Sequence, residues 1–311
     1  MTIDEKLVDA NVQRLLAEHD PKGSKVEFLG AQFDLGLAWI HFEPGCGGLG
    51  LAPKLQNRVN AALLEVGAPL CWPLNPIGYG MCGPTVYTHG SEEQKARYLR
   101  PLFTAEEIWC QLFSEPSAGS DVAGLTSKAV RDGEEWVVNG QKVWTTLAHV
   151  SRWGCLVTRT DPDAPKHKGL SYFVVDMHQP GVDVRPLRQM TGDAEFNEVY
   201  FTDARVSDSE RLGKAGDGWR VALTTLMNVR VAIGGAQAPR GSGPIGESLR
   251  LWSELGSHQK SVALQDRLMS LWSKAEVARL TNIRASQNLS LIHISEPTRQ
   301  EAISYAVFCL K

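Results

Sequence analysis

No apolar run in this chain is long enough to span a bilayer, so the sequence holds no candidate for a membrane-crossing helix. The N-terminus, "MTIDEKLVDANVQRLLAEHD", is charged and amphipathic and lacks the apolar centre and small-residue cleavage site of a secretory signal, which makes the cytoplasm the expected compartment. An excess of charge of one sign is also missing. Lys and Arg number 32 against 35 Asp and Glu, and the net charge of -3 over 311 residues gives no electrostatic reason to expect nucleic acid or an anionic membrane as partner. The cysteines, Cys46, Cys71, Cys82, Cys110, Cys155 and Cys309, include no pair at the two-residue spacing of metal and redox sites, and they read as small buried hydrophobes. The histidines are equally scattered, none four residues from another on one helix face, so no metal is expected. What remains is an ordinary globular composition, 43% hydrophobic and 22% charged, with length enough for two or three cores.

Three textures follow one another along the chain. From Leu7 to about Cys110 the signals are helical: Leu55, Val59 and Leu63 recur on one face with Gly67 as a stop, and "SEEQKARYL" opens with Ser91 as N-cap and Gln94 three residues on, a capping box. From Gln111 to Leu212 short strands alternate with turns, and the dipeptides Asp132-Gly133 and Asn139-Gly140 both read as turns in "KAVRDGEEWVVNGQKVW". Further strands are expected in "GCLVTRT", "LSYFVVDM" and "FNEVYFTDARV", and such spacing suggests a small sandwich or barrel rather than a parallel sheet. After Gly218 the helical period returns and, past the loop "PRGSGPIG", continues through Leu264, Leu268, Leu271, Trp272 and Ala275.

Gly45, Gly47 and Gly50 in "PGCGGLGL" satisfy the spacing of a dinucleotide-binding loop. Such a loop follows a strand and opens a helix, whereas here Pro44 precedes it and "LAP" follows, so a tight turn between helices is the expectation. The informative stretches are "CQLFSEPSAGSDVAGL" and "NGQKVWTT". The first carries the hydroxyls of Ser114 and Ser120 and a Ser-Ala-Gly-Ser turn whose N–H groups suit a phosphate; in the second, strand alternation puts Trp144 and Thr146 on one face, so that an aromatic plane and a hydroxyl meet one flat ligand. A polar loop beside a core tryptophan remains the alternative.

These stretches resemble the signature of the flavin-dependent acyl-CoA dehydrogenases. "GPTVYTHGSEEQKARYLRPLFTAEEIWCQLFSEPSAGSD", "FNEVYFTDARV" and "GDGWRVALTTLMNVRVAIGGA" are similar to that family's entry into its middle domain, a later strand pair and the first helix of its last domain. The likeness covers most of Leu37 to Ala238. It implies an α+β multidomain fold: an N-terminal α-helical bundle (1–110), a middle β-sandwich or barrel (111–212) and an incomplete C-terminal α-helical bundle (213–288). It further implies FAD as cofactor, held by Gln111 to Ser120. Phe113 and Ser114 would face the flavin pyrimidine edge, where donors stabilise the charge gained on reduction. Gly119 and Ser120 would lie near phosphates, with Ser120 also touching CoA; Trp144 would pack on the ring system and Thr146 near N5. Arg230 resembles a position close to the thioester end of the substrate, with a solvated or ion-paired helix arginine as the alternative, and for Ser117 and Asp121 a turn residue and a cap are the expectation.

The reaction implied is α,β-dehydrogenation of an acyl-CoA thioester, in which a glutamate removes the α proton. Some branches of the family carry that glutamate one residue before the position of Arg230, where this chain has Val229, so the base lies further along or the chain is inactive. Further along, "LSLIHISEPTR" (289–299) and "ISYAVFCL" (303–310) back-translate codon for codon into sequences that resemble the two ends of a sequencing adapter, so the natural segment is expected to end near Asn288. The resemblance also implies an electron-transfer acceptor protein and a homo-oligomer for the full-length protein. A non-catalytic flavin- or acyl-CoA-binding homologue and an acyl-CoA oxidase-like enzyme are the alternatives.

Overall fold

Capping residues decide where the first helices begin. The computed structural model describes the backbone of residues 1–234 and 240–294, and the side chains of these except 229–234 and 285–294. Thr2 and Glu5 form a capping box at the start of α1 (Ile3–Glu18), and Ser24 caps α2 (Lys25–Asp34). At α6 (Glu92–Phe103) the Gln94 N–H donates to Ser91 Oγ and the Ser91 N–H to Gln94 Oε1, the box expected from the sequence. Between α2 and α6 lie α3 (Gln56–Glu65), the short α4 (Cys71–Leu74) and α5 (Gly83–His89). Leu55, Val59 and Leu63 are buried at the start of and along α3, and Gly67 follows at φ +67°. With Val8, Val12, Leu15, Phe28, Leu37 and Ile40 they form one apolar core; each such side chain, fully buried, contributes roughly 1.5–3 kcal/mol.

The Gly45–Gly50 run is a loop joining helices, as its flanks suggest, and no dinucleotide loop. Gly48 carries the tightest constraint there, because a Cβ would sit 2.1 Å from the Phe42 carbonyl oxygen.

Seven strands form one mixed sheet: β1 (Trp109–Leu112), β2 (Lys128–Asp132), β3 (Glu135–Thr146), β4 (Trp153–Arg159), β5 (Leu170–Asp176), β6 (Val182–Leu187) and β7 (Phe196–Ser207). Their order is β1-β4-β2-β3-β7-β6, with β5 also on β4. Most pairs are antiparallel, but β1 runs parallel to β4. Both faces of β4 and β5 are covered, which explains their unbroken apolar sequences. Cys155, Val157, Tyr172 and Val174 meet the helices, whereas Leu156, Phe173 and Val175 join Trp136, Val138, Val199 and Phe201 in a second core.

The expected tight turn between β2 and β3 is present, made by Gly133 and Glu134 with Asp132 paired to Glu135 across it. Asn139-Gly140 does not: it lies inside the continuous β3, where the ladder to β7 slips by one residue. Gly140 has φ +146°, and a Cβ there would lie 2.5 Å from Ser127 Cβ. The residue is needed because the backbone of the neighbouring segment passes against it, not because the chain turns.

The chain divides into two compact units, Met1–Val229 and Arg230–Lys311. Within the first, α7 (Gly218–Gly234) opens with Val221 and Ala222 buried in the helix-side core. Thr225, further along it, links to Thr85 Oγ1 of α5 and to the Tyr172 hydroxyl of β5, both at 2.9 Å. In the second unit α8 (Pro244–Glu254) begins inside the stretch expected to be loop, because Pro244 suits a first helical turn. Then α9 (Val262–Ile294) carries Leu264 to Ala275 as expected, though of its apolar positions Leu268 is buried and Leu264 and Leu271 are exposed. The helix runs into the segment that resembles adapter, and residues 295–311 lie outside the described residues, as do residues 235–239.

Candidate functional site

The segment that follows β1 is held from below by a buried ion pair. Lys142 Nζ donates to Glu115 Oε1 at 2.8 Å and to the Phe113 carbonyl at 3.2 Å. The side chains of Lys142 and Glu115 are 0% and 2% exposed. The Glu115 carboxylate also accepts from the Thr126 N–H at 2.6 Å, the Thr126 hydroxyl at 2.8 Å and the Ser127 N–H at 3.0 Å. Burial pushes this carboxyl up, but the Lys142 charge and these donors outweigh it and hold the group down at about 2. Burial draws the Lys142 ammonium down to about 8, against the pull of Glu115. Between the two ends of this clamp the chain makes a tight turn, in which the Glu115 and Ala118 N–H groups each bond the other's carbonyl, with Pro116 and Ser117 at the exposed tip.

The same clamp abuts β3 where that strand bulges. The Val143 N–H donates to the Ser114 carbonyl at 2.9 Å, so Ser114 lies directly against the residue before Trp144. Two register shifts compensate each other along β3 and β7. The first places an extra residue on β7, with Asp203 at φ +49°; the second places one on β3, with Trp144 at φ +60°. Past the bulge Val143 and Thr145 are buried, whereas Thr146 is half-buried and Trp144 is 63% exposed. Trp144 and Thr146 are thus both more exposed than Thr145 between them, although the bulge interrupts the regular alternation expected of the strand, and Trp144 lies edge-on to Phe196 at 6.2 Å. Asn197 Nδ2 fixes the Thr145 carbonyl from across the ladder at 2.9 Å.

Ser114 is thus next to Trp144 through Val143, with Thr146 two residues further along β3 and Phe113 buried against Tyr172; these four make up the candidate wall. Among the described residues no hydrogen bond engages the side chains of Ser114, Ser120 or Thr146, which leaves their hydroxyls available to a ligand. Gln111 is half-buried on β1, paired with Cys155. Gly119 and Ser120 are exposed beyond the turn, and space around Gly119 is open. Ser117 is the turn residue expected. Asp121 occupies an N-cap position but makes no capping bond; its carboxylate pairs with Lys166 instead. Val229 and Arg230 belong to the backbone of α7, and their side chains lie outside the described residues. A cleft of about 700 Å³ lined by His89, Gln94, Arg97, Tyr98, Glu210 and Arg211 shares no residue with this wall. Its arginines are committed to Glu107 and Asp208.

Sequence reasoning passed over Glu115, Lys142 and Asn197. A signal for Lys142 existed: Trp136 and Val138 point inward on β3, and the same parity falls on position 142, where a buried cation requires an acidic partner.

Two family models match the chain: acyl-CoA dehydrogenase, N-terminal domain, over residues 5–106, and acyl-CoA dehydrogenase, middle domain, over residues 110–204. The chain is 44% identical over 254 residues to the acyl-CoA dehydrogenase FadE34 of Mycobacterium tuberculosis, covering 82% of this chain and 34% of that protein. It is 49% identical over 191 residues to the acyl-CoA dehydrogenase IpdE1 of the same organism, covering 61% of this chain and 49% of the relative. The chain thus spans about a third to about half the length of these relatives. Among solved structures, an acyl-CoA dehydrogenase from Geobacillus kaustophilus shares the fold with a TM-score of 0.71 at 24% identity, over 94% of this chain and 80% of that one. Among the described residues no helix is long and apolar enough to cross a membrane.

Proposed function

This chain belongs to the acyl-CoA dehydrogenase family, and we propose that the wall built from Phe113, Ser114, Trp144 and Thr146 receives FAD for the α,β-dehydrogenation of an acyl-CoA thioester. The single observation that supports this reading is the junction of the Ser114 carbonyl with the Val143 N–H, next in sequence to the exposed Trp144. A flat, hydrogen-bonding ring system fits that chemistry: the indole offers a stacking plane and the hydroxyls offer donors to its polar edge. When bound, FAD supplies a two-electron acceptor that takes a hydride at N5.

The chain's own residues divide the remaining work. Ser114 and the Phe113 backbone serve the pyrimidine edge, Trp144 packs on the ring and Thr146 serves the region of N5. The exposed Gly119 and Ser120 backbone suits phosphate groups, with Ser120 also reaching the CoA moiety, and Gln111 completes the segment. Arg230 serves the thioester end. Val229 holds no proton, so removal of the α proton needs a base from elsewhere in the sequence or from beyond it. An electron-transfer protein is the proposed acceptor of the reducing equivalents, the full-length protein is proposed to be a homo-oligomer, and the cytoplasm is the proposed compartment.

Val229 also favours a second reading, a homologue that binds flavin or acyl-CoA without turnover. The test is to reconstitute the chain with FAD, record the visible spectrum and add acyl-CoA under exclusion of oxygen. Bleaching supports the dehydrogenase, retained flavin without bleaching supports the second reading, and a chain that takes up no flavin overturns both. Bleaching followed by rapid recovery in air marks the oxidase-like alternative.

A further inference from the structure

We propose that the buried Glu115–Lys142 pair is a positioning device that shapes the flavin wall, acting through the Phe113–Ser114 backbone and the left-handed bulge at Trp144. The inference rests on the reading of that wall as a flavin site. Its starting point is energetic. Two charges removed from water lose hydration that their mutual attraction repays only in part, and well-packed apolar residues in place of such a pair are often as stable or more so. Stability alone is therefore a poor account of a lysine at 0% exposure. What the pair does have is geometry: its hydrogen bonds converge on backbone atoms at both ends of one loop. Lys142 reaches the Phe113 carbonyl just before Ser114, and Glu115 takes the Thr126 and Ser127 N–H groups where the loop rejoins the sheet.

The pair also lies two residues from the bulge. Trp144 holds φ +60°, a conformation that a bulky side chain adopts only where its surroundings impose it. The bulge is pinned on one side by Lys142 and on the other by Asn197, whose amide grips the Thr145 carbonyl. Between these anchors the Val143 N–H is given to Ser114 rather than to the sheet partner β7. Release of Lys142 frees the Ser114 segment and the bulge together, so the backbone junction between Ser114 and Val143 loosens. An apolar pair of similar volume fills the space but offers nothing to the Phe113 carbonyl or to the Thr126 and Ser127 donors.

The test compares the 311-residue chain with Glu115→Leu/Lys142→Met, and with Glu115→Gln as a second variant in case the first does not fold. Four properties are read: the urea unfolding midpoint, the FAD dissociation constant, the flavin midpoint potential, and hydrogen exchange of the Val143 amide in protein free of flavin. The double variant is expected to unfold at a lower urea concentration, because the Phe113 carbonyl and the Thr126 and Ser127 N–H groups lose their partners. Where both proteins are fully folded, it is expected to bind FAD about tenfold or more weakly and to exchange the Val143 amide about tenfold faster, the scale of one lost hydrogen bond. A shifted potential in the flavin still bound would support the same conclusion. Unchanged FAD affinity with unchanged exchange overturns the proposal, as does a loss of affinity that merely tracks a loss of stability. Failure of the unaltered chain to take up FAD would instead strike the reading of the site. The exchange measurement then decides the positioning claim alone, with unchanged protection overturning it and faster exchange supporting it.

Discussion

Asn75 Oδ1 accepts the backbone N–H of Trp109 at 3.1 Å, joining the end of α4 to the first residue of the sheet. The same fully buried side chain accepts from the Gly78 N–H and donates to the carbonyls of Leu102 and Glu107. Its hydrogen-bonding capacity is thereby spent on three backbone segments. Asn75→Ala should destabilise the protein by about 2–4 kcal/mol, because it leaves several buried backbone groups unpaired at once. Urea unfolding checks this, with Asn11→Ala as a comparison: Asn11 makes one partly buried bond to the Leu35 carbonyl and should cost about 1 kcal/mol.

Gly140 and Gly119 should respond in opposite ways to alanine. At Gly140 the positive φ and the nearness of Ser127 predict a loss of about 1–3 kcal/mol. Space is open at Gly119, so Gly119→Ala should change stability by less than about 0.5 kcal/mol. A drop in FAD affinity in Gly119→Ala at unchanged stability would place its backbone at the cofactor.

Trp144→Ala and Ser114→Ala should each weaken FAD retention by about tenfold, one through the lost stacking plane and the other through a lost donor. Trp144 is mostly exposed, so its removal should leave the unfolding midpoint nearly intact. Unchanged flavin content and midpoint potential in both variants would sink the assignment of the wall.

The Glu115 carboxyl titrates at about 2 in the folded chain, against an ordinary value of 4.5. A depressed acid contributes stability that is present above its unfolded value and is lost as pH falls through its folded one. Between about pH 4.5 and about pH 2 the unfolded chain binds a proton that the folded chain refuses, and stability falls. Glu115→Gln lacks this slope. The gap between the unaltered chain and the variant should therefore narrow between about pH 5 and about pH 3 in urea midpoints, and a constant gap would show that Glu115 is not held low.

Turnover of acyl-CoA by the 311-residue chain should be slow or absent, since a positioned base contributes about 10²- to 10⁴-fold and Val229 offers none. A stopped-flow record of flavin bleaching decides it. If Val229→Glu restores bleaching, the base belongs beside Arg230; turnover at an ordinary enzyme rate with Val229 in place would mean that another acid does the work.

The order of helices, strands and helices was legible because hydrophobic period and capping are local. Ser91 and Gln94 announce a helix start, and the apolar runs in β4 and β5 announce strands. Asn139-Gly140 misled because the dipeptide favoured in hairpins also suits a strand crossed closely by a neighbour, and that neighbour, Ser127, lies outside any local window. The short β6, with alternate residues exposed, carries too little apolar signal to be seen. At the site, Ser114, Trp144 and Thr146 came from resemblance, and the alternation expected between the last two did not foresee the left-handed bulge at Trp144. The partnership of Glu115 with Lys142 was not legible, because it depends on which strands become neighbours.

The pairing order of the sheet also governs how the chain acquires its structure. The β2–β3 hairpin closes through a two-residue turn, an event of about 1–10 μs. By contrast β1 must wait for β4, Trp109 pairing with Trp153, and β3 for β7, Glu135 pairing with Ser207. Such high contact order slows the closing steps relative to the N-terminal helical core, Val8 to Ala68, which assembles from nearer neighbours. On the ribosome, a nascent chain halted before Phe196 would hold a formed hairpin with one open edge on β3, the Trp144 segment without its anchor in Asn197, and an apolar surface available to chaperones or to another unfinished copy.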